Sequence, residues 1–481
     1  MEFLIIIALV AALVWVMVAL KFSTVFTRRF SLVPVLGFLV ILLGCVFGYD
    51  FFHVPGGPIP ITLDRLMLAG VTGAFVWQFA HGRQSLRRFN SIDWGVMMLT
   101  VVITLSTLMG DFTFLGNMPA SRLLFFNLFP VALYMVMRHA QISDNDLKLI
   151  SLGFVVMGLY LAVTAIAETR GLGSMVFPRY IMNPEFEEFF GRGRGPFLNP
   201  VSNGVCMVLC LCCMWMWFPG SSLRRKALIV GLACLMCLGI YSTLTRSVWM
   251  GLVFAAAIVV FMPASKSHKG AMMIVASLLL MFLAPVLADK VFSFKRDKEV
   301  SVADMENSAK LRPMFVTVAK RMVVDRPFLG VGFGQYARAK YPYLQDPSSA
   351  EPLSMTRGYM QHNIFLAYVT ETGFLGLGAL VLMLSLFLRA AWTVWRDTRL
   401  SFWQRQFGLL MMAMIANHCV NGMFHDVSII PMENMFLFFL AAVVNNFYST
   451  RPEQAPYGYP VEPVRREHSQ IAQPSSGSMV T

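Results

Sequence analysis

Apolar residues run along this chain in near-continuous blocks, separated by short polar links. The blocks are about 18 to 22 residues long, which is the length a helix needs to cross a bilayer. Strands of a membrane barrel would instead alternate apolar and polar positions over about 10 residues. The blocks fall near 2–20, 31–49, 62–80, 93–110, 121–138, 147–168, 199–218, 227–243, 248–263, 270–288, 362–390, 404–424 and 431–449. The pattern predicts an all-α, polytopic membrane bundle of about 12 to 13 transmembrane helices. Met1–Leu20 reads as a retained first helix, since it has neither a basic leader nor a clear small-residue cleavage site.

Three longer polar stretches interrupt the blocks: Tyr49–Ile61, Glu168–Pro200 and Asp289–Gln361. In the last, Leu311, Met314, Phe315, Val318 and Met322 recur at helical spacing, with Lys310, Lys320 and Arg321 nearby. This predicts an amphipathic helix lying at the membrane surface. The residues after about 450 are poor in apolar side chains and read as a disordered cytoplasmic tail. The resulting division is N-terminal membrane helices over 1–190, a core over 191–450 that includes the loop 289–361, and a tail over 451–481.

Charge orients the bundle. Lys21, Arg28 and Arg29; Arg83, Arg87 and Arg88; Arg138 and Lys148; Arg224, Arg225 and Lys226; Lys266 and Lys269; and Arg389, Arg396, Arg399 and Arg405 fall in alternate links. The positive-inside rule puts these links in the cytoplasm. The N-terminus is then outside, the C-terminus cytoplasmic, and the three long stretches face outward across an inner, cytoplasmic membrane. The segment 289–361 nonetheless carries 12 Lys and Arg against 8 Asp and Glu, a net of +4. Positive charge on an outer loop runs against the topological bias and points to an anionic ligand.

Composition agrees. The 481 residues are 57% hydrophobic and 14% charged, with a formal net charge of +13. The basic residues are spread over many short links rather than gathered in a basic domain, which excludes nucleic-acid binding. All eight cysteines lie in apolar runs, as small buried hydrophobes do. No metal site is expected.

Candidate chemistry collects in four places on the outer side. The first is Gly191-Arg192-Gly193-Arg194-Gly195, where glycines allow close backbone approach and Arg192 and Arg194 offer forks for phosphate. The second is the tight turn Tyr241–Trp249, in which Arg246 has little room to escape to bulk water. The third, Arg326–Tyr336, is rich in glycine but lacks the Lys-Ser/Thr of a nucleotide loop and reads as a tight structural turn. The fourth runs from His362 to Leu377. His362 can exchange a proton near neutral pH and is assigned to chemistry, with Asn363 beside it. Glu371, nine positions on, would lie about 13 Å deeper on the opposite helix face and is assigned to structural pairing in the bundle. A polar stripe of Asn417, His418 and Asn421 is expected to hydrogen-bond inside the bundle, with His425 and Asp426 reaching the outer side.

Taken in order, these motifs resemble the O-antigen ligase and polymerase superfamily of bacterial membrane glycan transferases. The matching elements are Pro196-Phe-Leu-Asn-Pro200, Thr243-Leu-Thr-Arg246-Ser247, Pro327–Gly334, the long loop, and His362-Asn363 followed by Glu371, Gly373 and Gly376. The resemblance implies a bundle around an outward cavity. It implies transfer of a glycan from a polyprenyl diphosphate (undecaprenyl diphosphate) donor to a glycan or lipid acceptor, with no cofactor. This is the chemistry of surface polysaccharide biosynthesis, whether O-antigen, lipopolysaccharide or exopolysaccharide, alongside other export proteins. It implies that Arg246 and Arg194 hold the diphosphate, with Arg192, Asn363 and His425 lining the site. It makes His362 the base and leaves Glu371 and Gly373 structural. Two other classes stay open. A flippase for lipid-linked saccharide would string charges through mid-membrane positions, whereas these cluster at one rim. A non-catalytic scaffold of the export machinery would tolerate loss of His362.

Overall fold

A computed structural model describes residues 30–54, 60–110, 119–265, 269–270, 302–345 and 352–451, with the backbone alone over 302–310. The expected spans 2–20 and 270–288 and the tail beyond residue 451 lie outside the described residues. The other eleven expected spans are all helical. They are α1 (Leu32–Phe47), α2 (Leu63–Ala80), α3 (Ser91–Met109), α4 (Pro119–His139), α5 (Asp144–Thr169), α6 (Pro200–Trp215), α7 (Leu223–Ser242), α8 (Arg246–Phe261), α10 (Ile364–Arg396), α11 (Phe402–Gly422) and α12 (Pro431–Ser449). The helix in the long segment is α9 (Val302–Asp325). Strand among the described residues is limited to one short hairpin, His53–Val54 with Ile61–Thr62.

Four helices, α3, α4, α5 and α10, are long and apolar enough by themselves to cross a membrane. Others dilute their hydropathy with polar residues that find partners inside the bundle. In α11, Asn417 Nδ2 donates to the Val205 carbonyl of α6 at 3.2 Å, and His418 Nδ1 lies 2.8 Å from Glu433 Oε1 of α12. α12 is the central mast, buried continuously from Met432 to Phe447. Helices from both sides of residue 190 share this bundle, since α3 packs along α10 and α4 along α12.

One end of the bundle is closed by a buried polar lock. Asp93, in the first turn of α3, accepts from Arg138 Nε at 3.1 Å, Tyr134 Oη at 2.7 Å and Asn445 Nδ2 at 2.8 Å. Arg138 and Asp93 are fully buried. A buried carboxylate is tolerated when it is bonded this way.

At the other end, α10 is broken. Gly373 has φ +66° and ψ −168°, which no helix allows. The break frees backbone groups that lipid cannot satisfy. The segment Pro327–Gly334 takes them. Val331 N–H and Gly332 N–H donate to the carbonyls of Thr370 and Glu371, each at 2.9 Å. In return, Phe374 N–H donates to the Pro327 carbonyl at 2.8 Å and Leu375 N–H to that of Phe328 at 3.3 Å. The glycine-rich turn is therefore a backbone splice inside a broken helix. Gly330, Gly332 and Gly334 all have positive φ, the conformation only glycine adopts freely.

The helix expected over 311–322 forms, but its apolar stripe does not rest on the membrane. Leu311, Met314, Phe315, Val318 and Met322 bury against Val331, Tyr336, Leu344 and Leu353. The segment has enough apolar residues of its own to make a small cap core, so the stripe is consumed within it.

A side chain at position 373 would put Cβ 2.3 Å from the Phe328 carbonyl and hold the left-handed backbone at a cost. Gly373→Ala should destabilise the protein by more than about 2 kcal/mol, seen as a lower melting temperature in detergent. An unchanged melting curve would refute the splice as a structural requirement.

Candidate functional site

His362 stands at the junction of the cap and α10. Its backbone is left-handed, φ +50°, unusual for a residue that is not glycine. Such strain persists only when the surroundings over-determine it. Here the flanking residues are pinned on both sides. Gln361 Nε2 donates to Thr370 Oγ1 at 3.1 Å. Asn363 caps α10, its Oδ1 accepting from the N–H groups of Phe365 and Leu366 at 2.9 and 3.0 Å, while its Nδ2 donates to the Met423 carbonyl at 2.9 Å. The imidazole sits 5.6 Å from the Phe315 ring and 6.3 Å from the Tyr359 ring, centre to centre. It is exposed on its open side. Protein packed around the rest, then the charges of Arg312 and Lys340, lower its pKa below the ordinary value of 6.5. The neutral imidazole, able to accept a proton, is therefore its form at neutral pH.

Arg246 begins α8 and is half-buried. The turn before it is held from outside. Arg192 Nε donates to the Thr243 carbonyl at 3.2 Å and its Nη2 to Thr245 Oγ1 at 2.5 Å, while Gly193 N–H donates to the Ser242 carbonyl at 2.9 Å. Leu244 takes φ +50° at the tip. Arg312 projects from α9 with its guanidinium 5.0 Å from the centre of the Phe424 ring. Partial burial, then the charge of Arg246, lower its pKa. Arg312 thus lies within electrostatic reach of both Arg246 and His362. Among the described residues Arg312 has no carboxylate partner.

The remaining expected site residues are engaged elsewhere. Arg194 is fully buried, its Nε 2.9 Å from Glu168 Oε1 and its other N–H groups on the carbonyls of Phe186, Glu188 and Ile181. Those bonds leave no fork for diphosphate, and the side chain is a strut between α5 and the 181–188 loop. Arg192, 4% exposed, is likewise spent on the turn of Arg246 and reaches the site only through it. Asn363 is occupied as a helix cap. His425 is half-buried just past the end of α11. Asp426 does not face outward. It is buried, 3.7 Å from Arg122 Nη2, and caps Ser428. Burial pushes its carboxyl up to about 6, opposed by Arg122.

Glu371 is the hub of this buried group. Its Oε1 lies 3.3 Å from Arg122 Nη1, and its Oε2 accepts from Gly334 N–H at 2.9 Å. Its own carbonyl accepts from Ser106 Oγ at 3.1 Å. The carboxylate therefore ties α4 to the splice and to α10. Sequence reasoning passed over Arg122, although an arginine within an apolar run is a signal of pairing. It also passed over Arg312, which sits between the apolar positions of the α9 stripe.

Residues 231–382 match the family model described as O-antigen ligase. No curated protein matches the chain. The matched stretch contains Arg246, Arg312, Lys340, His362, Glu371 and Gly373. Arg122, Arg192, Arg194 and Asp426 lie outside it.

Glu371→Gln should leave Arg122 under-paired in the interior at a cost of about 3–5 kcal/mol, lowering the melting temperature in detergent. Retention of the wild-type value would show that the hub carries no stability.

Proposed function

We propose that this chain, whose residues 231–382 match the O-antigen ligase family model, transfers or polymerises a polyprenyl-diphosphate-linked saccharide at the outer face of the inner membrane. The observation that carries this reading is that Arg312 lies within electrostatic reach of both Arg246 and His362, whose left-handed backbone is pinned at the head of α10.

The chemistry follows from those groups. The acceptor hydroxyl attacks the sugar carbon that bears the diphosphate. A new carbon–oxygen bond forms and the bond to diphosphate breaks, leaving a polyprenyl diphosphate. His362 takes the hydroxyl proton as attack proceeds. Arg246 and Arg312 stabilise the charge that grows on the leaving group. Positioned cations supply what departure requires, so the proposed reaction uses neither metal nor nucleotide. Arg194 and Arg192 act as struts, and the diphosphate role passes to Arg312.

Orientation is part of the proposal. The end that carries the Asp93–Arg138 lock also gathers Arg83, Arg87 and Arg88 near the start of α3. That concentration suits the cytoplasmic side and leaves the His362 end facing out. The product would be a surface polysaccharide of the O-antigen or exopolysaccharide type.

His362→Ala should slow transfer by about 10²–10⁴-fold at unchanged protein level, read by sizing lipid-linked and surface glycan on gels. Short lipid-linked units alone would mark a polymerase, and long chains stranded on the lipid a ligase. Full product would remove His362 from the mechanism.

The pH profile gives a separate check. The base works in its neutral form, so activity should hold at neutral pH and fall on acidification through the His362 pKa. That inflection should lie below the ordinary 6.5 because burial, and then the nearby cations, lower it. An inflection above 6.5 would contradict the arrangement.

A further inference from the structure

Lys340 is a buried cation, 2% exposed, with no carboxylate partner among the described residues. Burial of an unpaired ammonium is costly unless its donors are met. Here the ammonium donates to two backbone carbonyls, those of Thr356 at 3.2 Å and Tyr359 at 2.5 Å, and lies 5.2 Å from the centre of the Tyr336 ring. The Thr356 carbonyl also accepts from Tyr359 N–H at 3.1 Å, closing a turn over Thr356–Tyr359. Lys340 therefore binds both ends of one turn, and His362 leaves that turn three residues later. Gln361 and Asn363 fix the chain on the α10 side, as described above. The lysine thus adds a hold on the chain before His362 to those that Gln361 and Asn363 make at its flanks.

We propose that Lys340 is a positioning residue for His362, fixing the Thr356–Tyr359 turn so that the imidazole keeps its left-handed pose beside Arg312 and the Tyr359 ring. An apolar residue of equal length would fill the space but would leave the Tyr359 carbonyl without the lysine's bond and the Thr356 carbonyl with the Tyr359 N–H alone. The ammonium also holds a positive charge near the imidazole from the side of the cap, while Arg312 does so from α9. The role rests on the transferase reading only where turnover is concerned, since the link between the two side chains can be measured without substrate.

The experiment compares wild type, Lys340→Met, Lys340→Gln and His362→Ala as purified full-length chains in lipid nanodiscs. Modification of His362 by diethyl pyrocarbonate is followed across pH by peptide mass spectrometry, which reads the neutral imidazole directly. Transfer from a polyprenyl-diphosphate saccharide is measured alongside. In Lys340→Met the modification midpoint should move to higher pH, because a neighbouring positive charge is gone. Turnover should drop roughly ten- to a hundredfold, the scale of a displaced base, with the donor KM changed far less. Lys340→Gln keeps N–H donors but loses the charge. It should show the same midpoint shift while recovering part of the turnover, and it decides the matter if Lys340→Met does not fold. An unmoved midpoint and wild-type turnover in a folded variant would overturn the proposal. Full activity in His362→Ala would instead sink the transferase role of His362, while the midpoint still reports whether Lys340 governs it.

Discussion

The break at Gly373 and the backbone splice that fills it are what the candidate site depends on. A helix interrupted inside a bundle exposes carbonyls and amides that lipid cannot bond. Here Pro327–Gly334 returns bond for bond with Thr370, Glu371, Phe374 and Leu375. The exchange frees the first part of α10 from the direction of the rest. It also fastens the cap to the membrane helices through main-chain hydrogen bonds rather than side-chain contact. Glu371 adds a second tie through Arg122 and the Gly334 amide. The cap core around α9 is thereby set against α10, and Arg312 against His362.

Charge at this end of the molecule divides into two kinds. Arg194 and Arg122 are buried and paired, and with Glu168, Glu371 and Asp426 they hold loops and helices together. Removing one partner of such a pair leaves a stranded ion, so these residues govern whether the protein folds. Arg246, half-buried, and Arg312, exposed, belong to the other kind. In the proposed reaction these two would face the anionic leaving group.

Much of the fold was legible in the chain, because bilayer-length apolar runs and the helical period of the α9 stripe follow from local pattern alone. What the α9 stripe would pack against was not legible. Period reports a face, and here the partner was Val331, Tyr336, Leu344 and Leu353 rather than lipid. The arginines show the same limit. Arg192 and Arg194 are two apart in one glycine-rich loop and look alike on paper. Only the fold turns Arg192 toward the Thr243–Thr245 turn and Arg194 toward Glu168. Arg122, alone in an apolar run, was a signal left unused, and its partners Glu371 and Asp426 are far away in sequence. The glycines of 330–334 marked a turn correctly, but a turn designed to complete another helix leaves no local signature.

His362 joins these threads. Its spacing from Glu371 argued that the two could not share one substrate, and the fold gives Glu371 a separate task at the splice. Its left-handed backbone is affordable because Gln361, Asn363 and Lys340 constrain the chain around it from independent elements. A base needs a fixed position and a neutral ring at working pH. Burial, and after it the neighbouring cations, serve the second requirement while the pinned turn serves the first. Burial first, and then the same positive surroundings that would suit an anionic leaving group, lower the pKa of the imidazole. In this arrangement leaving-group stabilisation and base strength are not independent, and a substitution that weakens one cation should be felt in both.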